Sequence, residues 1–362
     1  MNPSRAQVLR TQLPPLDYGS LGQFLAGAAQ WMESALPYYL PKQEPAAFLY
    51  DPAGDYPMRG GKRFRPALML LSCALPGGDP WLALPSAVAL ELFQAFALVH
   101  DDIEDGSLVR RGKPALHHLH GIPLAINAGD LLYGLVYEAL LDNEELVGAG
   151  AALNILREFA QVFRRTFEGQ ALDIGWIRAG HIPTRSEFET MIRLKTAWYS
   201  GRGPCRIGAG LGGADAALMD ALGDFGEHLG LGFQVRDDLL NLTEDSAGAA
   251  PAAGGGGYGK ERGGDIAEGK RTLIVIEMLE RLSAEEGRRV VEVLTLEPER
   301  TSQADIAWVI AAAERCGALD AARDQCKAHG AAAHAALKRV PPSPQRDILD
   351  ELAGFLTQER TS

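Results

Sequence analysis

The chain has 362 residues, 46% hydrophobic and 23% charged, which is enough for a large core and ordinary for a globular protein. A formal net charge of -12 opposes binding to nucleic acid or to an anionic membrane surface, so basic residues that matter must act locally. Long stretches rich in Ala, Leu, Glu and Arg, with no train of alternating β-branched residues, make the expected class all-α.

Residues 1–20 are expected to be loosely ordered. They lack the apolar stretch of a secretory leader, and Cys73, Cys205, Cys316 and Cys326 form no C-x-x-C pair. Free thiols in a reducing cytoplasm are the simplest expectation. Leu21–Leu40 reads as the first long helix. Gly60-Gly61-Lys62-Arg63-Phe64-Arg65-Pro66 follows, a basic group flanked by glycines that let backbone amides approach an anion.

Ser86–Asp102 reads as an apolar helix that runs into Asp101-Asp102-Ile103-Glu104-Asp105. Asp101 and Asp105 share a helix face, where like charges repel, at a C-terminus whose dipole is already negative. A bound cation would offset both effects. No uncharged apolar run reaches membrane-span length, since the run Leu92–His100 ends at the aspartates, so an integral membrane protein is not expected. Arg110-Arg111-Gly112 is the second basic group. His117-His118-Leu119-His120 fits no zinc spacing.

Asp130–Leu141 and Ala151–Phe167 read as further helices, and Lys195-Thr196 adds another cation. The Ala216–Leu242 helix ends as the earlier one does: Gly230-Leu231-Gly232-Phe233-Gln234-Val235-Arg236 leads into Asp237-Asp238-Leu239-Leu240-Asn241. Two clusters of oxygen donors, without convergent His or Cys, suit Mg²⁺. The low-complexity stretch 247–257 reads either as a linker between two domains or as a flexible loop inside one. Functional residues directly after it favour the loop, and so a single domain over 21–362. Gly254–Lys260 resembles a nucleotide-binding P-loop only superficially, because Glu261 stands where Ser or Thr is required. Gly259-Lys260 and Gly269-Lys270-Arg271-Thr272 complete the basic groups.

As a set in this order, G-G-K-R-x-R-P, D-D-x-x-D-x-x-x-x-R-R-G-x-P-x-x-H, G-Q-x-x-D, K-T, G-x-Q-x-x-D-D and D-x-x-x-G-K-x-T resemble the trans-isoprenyl diphosphate synthases. This is the polyprenyl synthetase family, which includes farnesyl and geranylgeranyl diphosphate synthases, and the resemblance is dense from Met58 to Thr272. It implies an isoprenoid-synthase-type helical bundle around a deep central cavity, a homodimer, and Mg²⁺, with three ions per active site when substrate is bound. The implied reaction is head-to-tail (1'-4) condensation of isopentenyl diphosphate with dimethylallyl, geranyl or farnesyl diphosphate.

Residue by residue, the resemblance makes Asp101, Asp102 and Asp105 the first metal motif. Asp237 and Asp238 form the second, with Asn241 as an oxygen where an aspartate often stands. Lys62, Arg65, Gln94 and Arg111 match contacts to isopentenyl diphosphate. Arg110, Lys195, Thr196, Gln234 and Lys260 match the allylic side, with Lys270 nearby and Gln170 and Asp173 lining the same cavity. Among these, the aspartates with Arg110, Lys195 and Lys260 would act in catalysis by stabilising the leaving charge. Phe96 stands five residues before Asp101, where the family often places a bulky stop. Small Ala97 leaves space beside it, with Phe93 and Leu92 about one turn deeper. These favour a C20 product over C15 or longer. A class I terpene cyclase and a non-catalytic partner subunit are rivals, and the second Asp-Asp cluster argues against both.

Overall fold

The computed structural model describes residues 5–243, 262–297 and 300–357. The Gly-rich stretch 247–257, the P-loop-like run and Lys260 lie outside the described residues. Each expected helix is present: Leu21–Tyr39, Leu84–Glu104, Ile122–Leu141, Asn143–Ala179 with a break at Gly148 (φ 79°), and Ala216–Thr243. Local chemistry sets several starts. Ser20 accepts from the Gln23 amide, Thr184 and Glu187 form a reciprocal capping box, and Thr272 accepts from the Val275 amide. The described strands are two residues each, Val109–Arg110 paired antiparallel with Lys113–Pro114.

The chain divides into two compact units, each assembled from separated stretches. One comprises 1–163, 199–226 and 334–352, and the other 164–198, 227–333 and 353–362. In the first unit the Leu84–Glu104 helix is core along most of its length, from Leu84 to Phe96 without interruption. It packs against Ile122–Leu141 and Phe64–Ala74. In the second, Leu273–Arg281 packs against Ala284–Leu294, Gln303–Arg315 and Arg185–Ile192.

One expectation changes. The N-terminal stretch holds a helix, Arg5–Arg10, whose Leu9 is fully buried, and Trp31 Nε1 donates to Pro14 O at 2.8 Å. One apolar anchor and one hydrogen bond therefore order a segment whose composition suggested none. Among the described residues, two helices are long and apolar enough to cross a membrane, Pro80–Glu104 and Ile122–Leu141. The first is 83% buried inside the protein, so its apolar length reflects its core position. None of the four cysteines is in a disulfide, and burial raises the Cys73 and Cys205 thiols to about 12.

Candidate active site

In the first unit, the end of the Leu84–Glu104 helix brings Asp101, Asp102 and Asp105 into one turn, with Asp105 as its C-cap. Their environments differ. Asp102 is completely buried, and its carboxylate accepts from Tyr56 Oη at 2.5 Å and from Arg110 Nε at 2.9 Å. A second Arg110 nitrogen also reaches it. Asp101 remains part-exposed, 3.6 Å from Arg110. Burial disfavours the Arg110 charge, but the hydrogen bond and charge of Asp102, then Asp101, hold its pKa above the ordinary value. Burial and Asp102 likewise push the Tyr56 phenol up.

The basic group after Gly60 begins the Phe64–Ala74 helix. Lys62 is exposed. Arg65 donates to Ser200 Oγ at 3.0 Å and to Tyr199 Oη at 2.9 Å, with its guanidinium 4.6 Å from the Tyr199 ring centroid. Arg111 has positive φ (54°) and donates to Gly60 O. Gln94 is 7% exposed, and its Oε1 has no hydrogen-bond partner. Below Asp101 on the same helix, Phe96 meets Tyr133 at 4.9 Å and Phe93 stacks on Phe163 at 4.3 Å, as centroid distances. Ala97 is only part-buried.

In the second unit, Lys195 Nζ donates to Asp173 Oδ2 at 2.5 Å, and Gln170 lies one turn before Asp173. Glycine permits this approach. A Cβ on Gly169 would stand 2.6 Å from Lys195 Cα, and one on Gly230 2.7 Å from Ala197 Cα. Lys195 and Thr196 sit in a π-helical stretch, Arg193–Arg202. Thr196 donates to Gln234 Oε1 at 2.8 Å, and Gln234 Nε2 donates to Asp238 Oδ1 at 2.9 Å. A cavity is lined by Asp173, Lys195, Thr196, Asp238, Lys270 and apolar Phe188.

Asp238 is buried, and its carboxyl is pushed well above the usual range by burial first and then by Asp265 and Asp237, against the Gln234 hydrogen bond and Lys270. Asn241, grouped from sequence with the metal donors, directs its Oδ1 to the Asp265 amide at 3.1 Å, and its own carbonyl accepts from Gly263 at 2.8 Å. Asp265 itself escaped selection because it was read only as a motif letter. Tyr56 and Tyr133 belong to no motif, and only tertiary packing exposes their part. Among the described residues, no three His, Cys, Asp or Glu side chains are already gathered as a cation cage.

The polyprenyl synthetase family profile matches residues 47–312. A geranylgeranyl pyrophosphate synthase of Geoglobus acetivorans is 35% identical, covering 93% of this chain and 99% of that one. A short chain isoprenyl diphosphate synthase of Methanothermobacter thermautotrophicus is 36% identical, covering 83% and 86%. The crystal structure of geranylgeranyl pyrophosphate synthetase from Pyrococcus horikoshii superposes with a TM-score of 0.83 at 30% identity, covering 94% and 98%. The chain belongs to the polyprenyl synthetase family and is a prenyltransferase of isoprenoid biosynthesis with the all-α isoprenoid synthase fold.

Proposed function

We propose that this prenyltransferase joins isopentenyl diphosphate head to tail to an allylic diphosphate, depends on Mg²⁺, and makes geranylgeranyl diphosphate (C20) as its main product. The observation that carries the reading is a buried Asp238 whose carboxyl is pushed up by burial and by the charges of Asp265 and Asp237, an electrostatic strain inside the protein. A divalent cation relieves that strain. Oxygen-only donors fit Mg²⁺, which completes its shell with water and substrate phosphate, so few carboxylates per ion suffice.

Asp101 and Asp105 in the first unit, and Asp237 and Asp238 in the second, would each hold metal, which when bound supplies Lewis-acid neutralisation of diphosphate charge. Asp102 has a different part, because both its oxygens already serve Tyr56 and Arg110. It fixes Arg110 in advance of substrate, so no reorganisation is required as charge develops. Lys195 and Lys270, with Thr196 and Gln234, bind the allylic diphosphate, and Lys260 is assigned to the same side by its motif. Lys62, Arg65, Arg111 and Gln94 bind isopentenyl diphosphate. The aromatic rings of Phe93 and Phe96 keep water from the allylic tail as the carbon–oxygen bond breaks and the isopentenyl double bond attacks. The proton lost in the last step goes to the departed diphosphate, so no side-chain base is assigned.

The names of the Geoglobus and Pyrococcus relatives support the C20 assignment, as does bulky Phe96 beside small Ala97. A cytoplasmic homodimer is part of the same proposal. Exposed Ile122, Ile126, Tyr137 and Leu141 on one helix offer a face that a second copy would cover.

The test is incubation of purified protein with labelled isopentenyl diphosphate and each allylic starter, followed by chromatography and mass spectrometry. Chain extension to C20 that stops in excess chelator is expected. A cyclised hydrocarbon, no incorporation, or full activity in chelator would each refute the proposal.

A further inference from the structure

In the sequence, Arg63 stands in one basic group with Lys62 and Arg65. The structure gives it a different setting. Arg63 is 5% exposed, and so is Glu91, on the helix that ends in Asp101. Arg63 Nη1 donates to Glu91 Oε2 at 2.5 Å, and Nη2 donates to Pro57 O at 2.5 Å. The guanidinium is thus turned into the protein.

The backbone explains why such an anchor is needed. Gly60 and Gly61 have φ of 79° and 135°, and Arg63 follows with φ 45°, ψ 33°. A non-glycine residue in that left-handed region is strained, because its Cβ crowds the following carbonyl oxygen. Arg63 also forms the corner at which the next helix starts, since its carbonyl accepts from the Ala67 amide at 3.0 Å and no side chain caps that helix. Neighbouring arginines brace the corner. Arg59 lies 4.4 Å from the Tyr56 ring centroid and donates to Arg110 O at 2.8 Å and Pro114 O at 2.9 Å. A Cβ on Gly61 would stand 3.2 Å from the Arg111 guanidinium, which would have to give by a few tenths of an ångström.

Glu91 is the counter-charge of this basic cluster. Burial disfavours the Arg111 charge, Glu91 restores part of it, and Arg63, Arg110 and Arg65 oppose it further. A carboxylate beside an anion site weakens anion binding by charge alone. Its presence there makes sense if geometry outweighs charge.

We propose that Arg63 and Glu91 form a buried positioning pair that holds the Gly60–Arg65 loop in the shape presenting Lys62 and Arg65 to isopentenyl diphosphate, and that Arg63 does not itself contact the diphosphate. The proposal rests on the reading that this loop binds isopentenyl diphosphate. Removing one member of a buried pair leaves an uncompensated charge, whereas replacing both by apolar side chains of similar volume is often neutral for stability. The two roles are therefore separable.

The experiment compares Glu91→Gln, Arg63→Met/Glu91→Met and Lys62→Ala with wild type, measuring KM for each substrate and the thermal unfolding midpoint. Glu91→Gln is expected to raise the KM for isopentenyl diphosphate about tenfold although it removes a negative charge, because displaced binding groups outweigh charge. The allylic KM should move less than twofold. The double variant should unfold close to the wild-type temperature and show the same selective rise, which keeps the test open if Glu91→Gln does not fold. An isopentenyl diphosphate KM that is unchanged or lowered in Glu91→Gln or in the double variant, with Lys62→Ala impaired, overturns the pair. An unchanged KM in Lys62→Ala overturns instead the assignment of this loop to isopentenyl diphosphate.

Discussion

Tyr56 donates a 2.5 Å hydrogen bond to Asp102, and the same phenolic oxygen accepts the Leu116 amide at 3.0 Å. One hydroxyl thereby ties the chain before the basic loop, the aspartate cluster and the segment after the hairpin. The three aspartates of the cluster are consequently unequal. Asp102→Ala should leave the Arg110 guanidinium buried without its main partner and destabilise the protein by about 3–5 kcal/mol. Asp101→Ala should cost little stability, or add some by relieving repulsion, while turnover falls by several orders of magnitude. Urea unfolding together with steady-state turnover checks this, and equal stability losses in the two variants would remove the distinction.

Gly169 offers a test of the allylic side that leaves every functional group in place. Gly169→Ala would drive a Cβ to 2.6 Å from Lys195 Cα, so the two helices must separate. Stability should drop by about 1–3 kcal/mol, as for overpacked cores. The KM for the allylic substrate should rise in step with that of Lys195→Ala, while the isopentenyl diphosphate KM changes little. A rise confined to isopentenyl diphosphate would show that Lys195 serves the other substrate.

Burial, with His228 beside it, lowers His329 from 6.5 to about 4. The ring centroids of the two histidines lie 5.8 Å apart, with Glu189 raising and Arg193 lowering the pKa and Gln325 at 3.2 Å. Between pH 6.5 and 4 the unfolded chain binds more protons at this position than the folded one. Stability from this group is therefore full above 6.5 and lost as pH falls through 4, by about 3 kcal/mol. His329→Gln should flatten that part of the stability–pH curve. A curve of unchanged slope in the variant would assign the acid sensitivity elsewhere.

Product length should respond to the aromatic group below the first cluster. Phe96 lies against Tyr133 and Phe93, so Phe96→Ala should open that stack and lengthen the product distribution. Ala97→Phe should shorten it. Mass spectrometry of the prenyl alcohols gives the answer directly, and unchanged lengths in both variants would place the stop away from this turn.

Much of the fold was legible because helical periodicity is a local signal. The Ala216–Leu242 expectation differs from the observed Ala216–Thr243 helix by a single terminal residue. The aspartates and cations were legible for a related reason. Metal and diphosphate chemistry demands oxygen donors and positive charge at short spacing, and these stand together in the chain. Asn241 is grouped with the donors by its oxygen, its spacing and the resemblance, and in the structure its Oδ1 accepts from the Asp265 amide, a contact that no sequence spacing announces.

By itself, then, the sequence determined the helices, the two aspartate clusters and the order of the basic groups, since each is written in residues no more than a few positions apart. Only the tertiary structure decided which charges are committed inward. Arg63 and Lys62 are neighbours with the same charge, yet one is buried on Glu91 and the other is exposed. Asp101 and Asp102 are equally close, yet only Asp102 is sealed under Tyr56 and Arg110. Glu91 lies 28 residues from Arg63 and Tyr56 lies 46 from Asp102, and burial acts through space. A charge in a low-dielectric interior persists only where distant segments fold together to supply its counter-charge and hydrogen bonds.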